Sequence, residues 1–148
     1  MEEITIQGES GSFLHIDLIE VYGFPYETCF WGGYEVRAVI EIKSGGFEAY
    51  STLWLSTGEL YTFYNSLKEC NERLKGEVKL TTSDSNLELV VRYDIQGLAA
   101  VTGKFRASDF DGNELQFKYT TDQSYIQATI TDLKRIVAKY GDMKGATN

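Results

Sequence analysis

One histidine, two cysteines and 22 carboxylates are the groups with which this 148-residue chain could do acid–base, nucleophilic or metal chemistry. Nucleophilic catalysis needs a hydroxyl or thiol beside a base that a third group orients. His15 is the sole imidazole. It falls on the polar side of an alternating run, as a solvated side chain or a partner for groups near Asp17. No Gly-x-Ser-x-Gly elbow occurs, and neither Cys29 nor Cys70 lies in a recognisable motif. Two cysteines make no disulfide framework; they read as small buried hydrophobes in a reduced protein. The run Asp109-Phe110-Asp111-Gly112-Asn113-Glu114 looks like half a calcium loop. Such a loop needs glycine at its sixth position and glutamate at its twelfth. Here glycine is fourth and Thr120 twelfth, so a hairpin turn accounts for the run better. Gly8-Glu9-Ser10-Gly11-Ser12 lacks the Gly-Lys-Ser/Thr of a phosphate loop. Nothing selects a pair of carboxylates for glycoside hydrolysis. The expectation is a protein that is not an enzyme, with no catalytic, metal or cofactor-binding residue and no cofactor.

The elements that carry these residues follow from periodicity. Leu14, Ile16 and Leu18 alternate with His15 and Asp17. Tyr34, Val36, Ala38, Ile40 and Ile42 alternate with Glu35, Arg37, Val39, Glu41 and Lys43, and Phe47, Ala49, Ser51, Leu53 and Leu55 continue the pattern. Period two with one polar face predicts half-buried antiparallel strands. Ser44-Gly45-Gly46 reads as a tight hairpin turn, and a short strand at Ile4 to Gln7 precedes them. The period then changes. Leu60, Phe63, Tyr64, Leu67, Cys70 and Leu74 recur at helical spacing. Ser56 and Glu59 have capping-box spacing, and Gly76 reads as the stop. Strands return at Val78 to Thr82, Leu87 to Tyr93, Leu98 to Ala107 and Leu115 to Thr120. A second helix buries Ile126, Ile130, Leu133, Val137 and Tyr140, with Asp122 as N-cap and Gly141 as stop.

The predicted fold is α+β: a curved, mainly antiparallel sheet of about eight strands with two amphipathic helices, in the order ββββα-ββββα. One domain spans 1–141, and 142–148 form a frayed tail. A shift of 66 places Leu60 on Ile126, Leu67 on Leu133 and Ser56 on Asp122. Either a ββββα unit is duplicated, or two amphipathic helices of similar length align by chance.

Charge is uneven. The chain carries −8 overall, and residues 1–75 hold 12 acids against five bases, with no Lys or Arg before Arg37. An acidic protein is poorly suited to nucleic acid or an anionic membrane, both of which are bound through basic patches. No run of about 20 apolar residues is present. The start, Met1-Glu2-Glu3-Ile4-Thr5, lacks the basic and apolar regions of a secretory leader, so a cytoplasmic protein is expected. Inside the acidic stretch, Tyr22-Gly23-Phe24-Pro25-Tyr26-Glu27-Thr28-Cys29-Phe30-Trp31-Gly32-Gly33 joins two strands. Five aromatics there mean either a loop folded over the sheet end or an anchor set ringed by carboxylates. On the second reading Asp17, Glu20, Glu27 and Glu35 draw a basic partner, and Tyr26, Phe30 and Trp31 anchor it.

Three blocks carry a resemblance. Gly11-Ser12-Phe13-Leu14 begins a strand that ends before Gly23-Phe24-Pro25. Gly45-Gly46-Phe47-Glu48-Ala49-Tyr50 leads through Leu53 and Thr57 into the helix with Leu60, Phe63, Leu67, Leu74 and Gly76. Leu115-Gln116-Phe117 is followed by Thr121-Asp122-Gln123-Ser124-Tyr125-Ile126. Over roughly residues 8–140 the chain resembles the WapI-type immunity proteins, small bacterial proteins paired with contact-delivered toxins. One departure is local: the family usually has a Trp directly before the strand that starts here at Tyr34, whereas Trp31 stands earlier, followed by Gly32-Gly33. The resemblance implies a cytosolic protein that binds and neutralises a cognate toxin domain, by family analogy a basic nuclease, and it transfers no catalytic residues. The other reading is a small-molecule carrier of lipocalin-like barrel type, since eight strands with a late helix fit that class.

Overall fold

The computed structural model describes residues 2–94, 96–107 and 112–144. Eight strands and two helices occur in the expected order: β1 (Glu3–Gln7), β2 (Phe13–Tyr22), β3 (Glu35–Ser44), β4 (Phe47–Ser56), α1 (Thr57–Arg73), β5 (Glu77–Thr81), β6 (Leu87–Tyr93), β7 (Leu98–Arg106), β8 (Glu114–Asp122) and α2 (Gln123–Tyr140). The strands form two four-stranded antiparallel meanders, β1-β2-β3-β4 (sheet A) and β5-β6-β7-β8 (sheet B). Neither closes into a barrel, which removes the fold on which the lipocalin-like carrier reading rested.

The alternation expected for the strands is present. Leu14, Ile16, Val36, Ala38, Ile40, Ile42, Leu53 and Leu55 are buried from sheet A, and Val78, Leu80, Leu87, Leu89, Val91 and Val101 from sheet B. They meet Leu60, Phe63 and Leu67 of α1 and Ile126, Ile130, Leu133 and Ile136 of α2 in one cluster. The stripe of α2 turns slightly from expectation: Ile136 is buried and Val137 only half so. At the turn end of β4 the inner face is left uncovered, with Phe47 exposed and Ala49 and Ser51 half-buried.

Each helix is capped as its sequence predicts. The Ser56 hydroxyl accepts from the Glu59 N–H at 3.1 Å, and the Glu59 carboxylate accepts from the Ser56 N–H at 2.8 Å. Asp122 accepts from the Tyr125 N–H at 2.9 Å, and Gly141, at φ 84°, ends α2. The α1 stop differs from expectation. Leu74 takes the left-handed C-cap at φ 55°, so it leaves the apolar stripe and lies exposed, while Gly76 turns the chain into β5 at φ 106°. Both thiols are free and half-buried, where full burial was expected.

The two halves interlock. The first helix packs on β5, the first strand of the second half, while α2 packs on β1, the first strand of the first half, and the helices pack on each other. Asn71 on α1 accepts from the Tyr93 hydroxyl at 2.9 Å and donates to Gln127 on α2 at 3.4 Å. The main asymmetry lies in the turns: residues 23–34 join β2 to β3, whereas residues 94–97 join β6 to β7.

Candidate functional site: an acidic, aromatic face on sheet A

Strict alternation along β2 would put Glu20 and Tyr22 on the buried side with Leu14 and Leu18. A register shift between Leu18 and Glu20 prevents this. A bulge adds one residue and reverses the facing of the residues beyond it, so Glu20 and Tyr22 join His15 and Asp17 on the outer face. The pairing then sets Glu20 beside Arg37 and Arg37 beside Trp54, with Tyr22 beside Glu35. The Tyr22 and Trp54 rings stack with centroids 6.0 Å apart. Arg37 lies 3.5 Å from the Glu20 carboxylate. Hydrogen bonding to Tyr22 first, and then to Glu20, favours its charged form.

Tyr22, Trp54 and Glu35 line a cleft of about 410 Å³ that Asp84, from the turn after β5, completes. Two aromatic faces between two carboxylates suit a lysine or arginine head: carboxylates pair with it and the ring faces attract it. Tyr22, Trp54, Arg37 and Asp84 were not among the residues singled out in sequence. The Trp/Tyr/Arg composition typical of binding hot spots was present, but the bulge that assembles it leaves no local signal.

Farther along the face, Asp17 sits between Glu3 and Val39, and its buried Oδ1 has no hydrogen-bond partner. His15 is hydrogen-bonded to Thr5, Nδ1 to Oγ1 at 2.8 Å, and lies 3.7 Å from Glu3. Those neighbours make it part of the polar surface. The acidic excess of the first half is not dispersed by folding. The outer positions of sheet A carry Glu3, Asp17, Glu20, Glu35, Glu41 and Glu48 against Arg37 and Lys43. On sheet B the balance reverses slightly, with Lys79, Arg92, Lys104, Arg106 and Lys118 against Glu77, Glu88, Glu114 and Asp122. The larger cleft of about 540 Å³ lies there, lined by Lys79, Glu88 and Lys104, where a basic partner gains less.

The aromatic loop is packed at its base and exposed at its tip. Phe24 packs edge-on against Tyr34 and Tyr140, with centroids at 5.2 and 4.8 Å. Tyr34 is buried and donates its hydroxyl to the Pro25 carbonyl at 3.1 Å. Tyr26 is 95 % exposed, Phe30 60 % and Trp31 53 %. Phe30 and Trp31 meet edge-to-face at 4.9 Å, and Glu27 is exposed beside them in the chain. The base of the loop is fixed on α1. The free N–H groups of the first helical turn, Thr57 and Gly58, donate to Tyr34 and Gly32 carbonyls at 2.9 and 3.1 Å. Gly33 donates to the Lys144 carbonyl at 2.7 Å. The contact needs glycine: a Cβ on Gly33, at φ +67°, would stand 2.2 Å from the Thr57 hydroxyl. The expected site residues therefore divide. Asp17, Glu20 and Glu35 share the sheet face, whereas Tyr26, Glu27, Phe30 and Trp31 stand on the loop beyond its β2–β3 end. Of the acidic turn at 109–114, residues 109–111 lie outside the described part.

The chain thus consists of two open antiparallel meanders with interlocked helices and an acidic, aromatic outer face on sheet A. The chain matches the WapI-like immunity protein family over residues 5–141 and belongs to it. Its role is that of an immunity protein, which binds and neutralises a cognate toxin. Neither a curated protein nor a solved structure matches the chain.

Proposed function

We propose that the protein acts in the cytoplasm and neutralises a basic toxin domain, a nuclease, by seating it on the outer face of sheet A. The observation that carries this reading is the Tyr22–Trp54 cleft between Glu35 and Asp84, continuous with a row of carboxylates. A nuclease binds phosphates through a basic groove, and this face offers that groove carboxylates and aromatic area instead. Asp17 adds its carboxylate charge to the row on this face. Glu20, Glu27 and Glu35 act mainly on encounter rate, as exposed charges do, and Tyr26, Phe30 and Trp31 extend the contact from the preorganised loop. No catalytic group of this chain takes part, since occlusion is enough.

The test is a toxin-protection assay with binding kinetics on four variants, each checked for fold by thermal melting. Trp54→Ala should raise dissociation and cost more than about 2 kcal/mol of binding. Glu35→Lys should slow association and weaken its salt dependence. Trp31→Ala and Glu27→Lys report on the loop. Full protection by well-folded Trp54→Ala and Glu35→Lys places the interface elsewhere.

A further inference from the structure

The two edges of sheet A are finished differently. Along β1, side chains from the second half occupy the backbone groups. Thr129 donates to the Thr5 carbonyl at 2.6 Å and Thr121 to Gln7 at 2.6 Å, while Asp132 accepts from the Thr5 N–H at 3.2 Å. Along β4 no such bond exists from Phe47 to Leu55 among the described residues: its partner is β3 alone. Natural edges are shortened, bulged, or guarded by Lys or Pro. The β4 edge is ten residues long, pairs with β3 in unbroken register, and contains neither Lys nor Pro. Phe47 and Tyr50 stand 70 % and 74 % exposed on it.

Turn geometry says which backbone groups face outward. Gly45 and Gly46 form a two-residue hairpin between Ser44 and Phe47, and the residues flanking such a turn make a hydrogen-bonded pair. Bonded and non-bonded pairs then alternate. Phe47, Ala49 and Ser51 spend their N–H and C=O groups on β3, and Glu48, Tyr50 and Thr52 point theirs away from the sheet. Beside that edge runs a cleft of about 290 Å³, between Glu48–Ser51 on one side and Phe105, Ala107 and Glu114 on the other. Glu48 and Glu114 are its charged side chains, and Glu41 is the cross-strand neighbour of Tyr50.

We propose that the β4 edge receives an extended strand of the toxin that carries lysine or arginine, added to sheet A through the backbone of Glu48, Tyr50 and Thr52. Main-chain bonds supply the attachment, and the carboxylates of Glu48 and Glu41 select basic side chains on the added strand. This rests on the proposed function, in which the partner is a basic toxin domain, and it continues the same acidic face to its rim.

The test uses the whole chain and a catalytically inactivated domain of its cognate toxin. In the complex, amide hydrogen exchange followed by NMR should slow at Glu48, Tyr50 and Thr52. The alternate amides, already bonded to β3, should change little. Thr52→Pro removes one outward donor at a position where an edge strand tolerates proline. It should weaken binding about tenfold, while Thr52→Ala, which keeps the N–H, stays near wild type. Unchanged exchange at the three amides in a complex that Glu35→Lys still weakens overturns the strand addition and leaves the proposed function standing. Equal affinity of folded Thr52→Pro and Thr52→Ala overturns it as well. Failure of the wild-type chain to bind the toxin domain overturns both.

Discussion

The Tyr119 hydroxyl, on β8, donates at 2.7 Å to the carbonyl of Ile6, on β1. It is a bond between the last strand of one sheet and the first strand of the other. The Tyr119 ring also lies over Gly8, where a Cβ would stand 2.2 Å from it. Burial pushes the phenol well above its ordinary pKa. Replacing Tyr119 with Phe removes one of two bonds at a buried carbonyl, which also faces Leu14 across the β1–β2 ladder. The expected cost is about 0.5–1.5 kcal/mol, read as a lower urea midpoint with unchanged slope. An unchanged midpoint would show that water or a neighbour takes over the carbonyl.

The interlock of the halves makes a stronger demand. Residues 1–75 alone leave β1 without Thr129, Tyr119, Thr121 and Asp132, and residues 76–148 alone leave β5 without α1. Neither fragment should unfold cooperatively by itself, although each holds a full ββββα set. A sigmoidal thermal transition in either one contradicts this.

Leu67 and Leu133 are the central contacts of α1 and α2 with the core, both fully buried. Truncation to alanine should cost about 2–5 kcal/mol at each site, the transfer term plus the cavity left behind. Chemical denaturation measures it, and a loss under about 1 kcal/mol would mean that the core collapses into the gap.

Glu59 introduces a pH dependence. Burial raises its carboxyl above the ordinary 4.5, and the Asp84 charge adds to the effect. Hydrogen bonds from Ser56 and from the Ser83 backbone oppose both without cancelling them. The folded state therefore holds this proton more tightly than the unfolded chain does. The contribution is favourable at low pH and is lost as pH rises from about 4.5 through the raised value. Glu59→Gln keeps the acceptor for the Ser56 N–H and removes the charge. Its stability relative to wild type should increase between about pH 4 and pH 7, and a parallel pH profile for the two proteins would refute this.

Gly33→Ala tests whether the aromatic loop is preorganised. A side chain there meets Thr57 and requires a strained positive φ, so the loop base should lift from α1 at a cost of more than about 1 kcal/mol. Toxin association should slow in the same variant, because Phe30 and Trp31 lose their fixed base. Normal stability together with normal association would dissociate the loop from both roles.

The element order was legible because its signals are local. Period two comes from side chains alternating across a strand, and the Ser56–Glu59 and Asp122 caps are carried by residues within one turn. The acidic excess was legible too, and Asp17, Glu20 and Glu35 emerged on one face as carboxylates of the same half. Local pattern could not supply the bulge after Leu18, since one added residue in a strand leaves composition unchanged while reversing which side Glu20 and Tyr22 face. Trp54 and Asp84 became part of the cleft only because β4 and the turn after β5 are brought to it by sheet order and helix packing. The difference between the closed β1 edge and the open β4 edge is likewise tertiary. It depends on hydroxyls more than a hundred residues away in the chain reaching the Thr5 and Gln7 carbonyls, and backbone polar groups are satisfied by whatever the fold brings near, which no window of sequence contains.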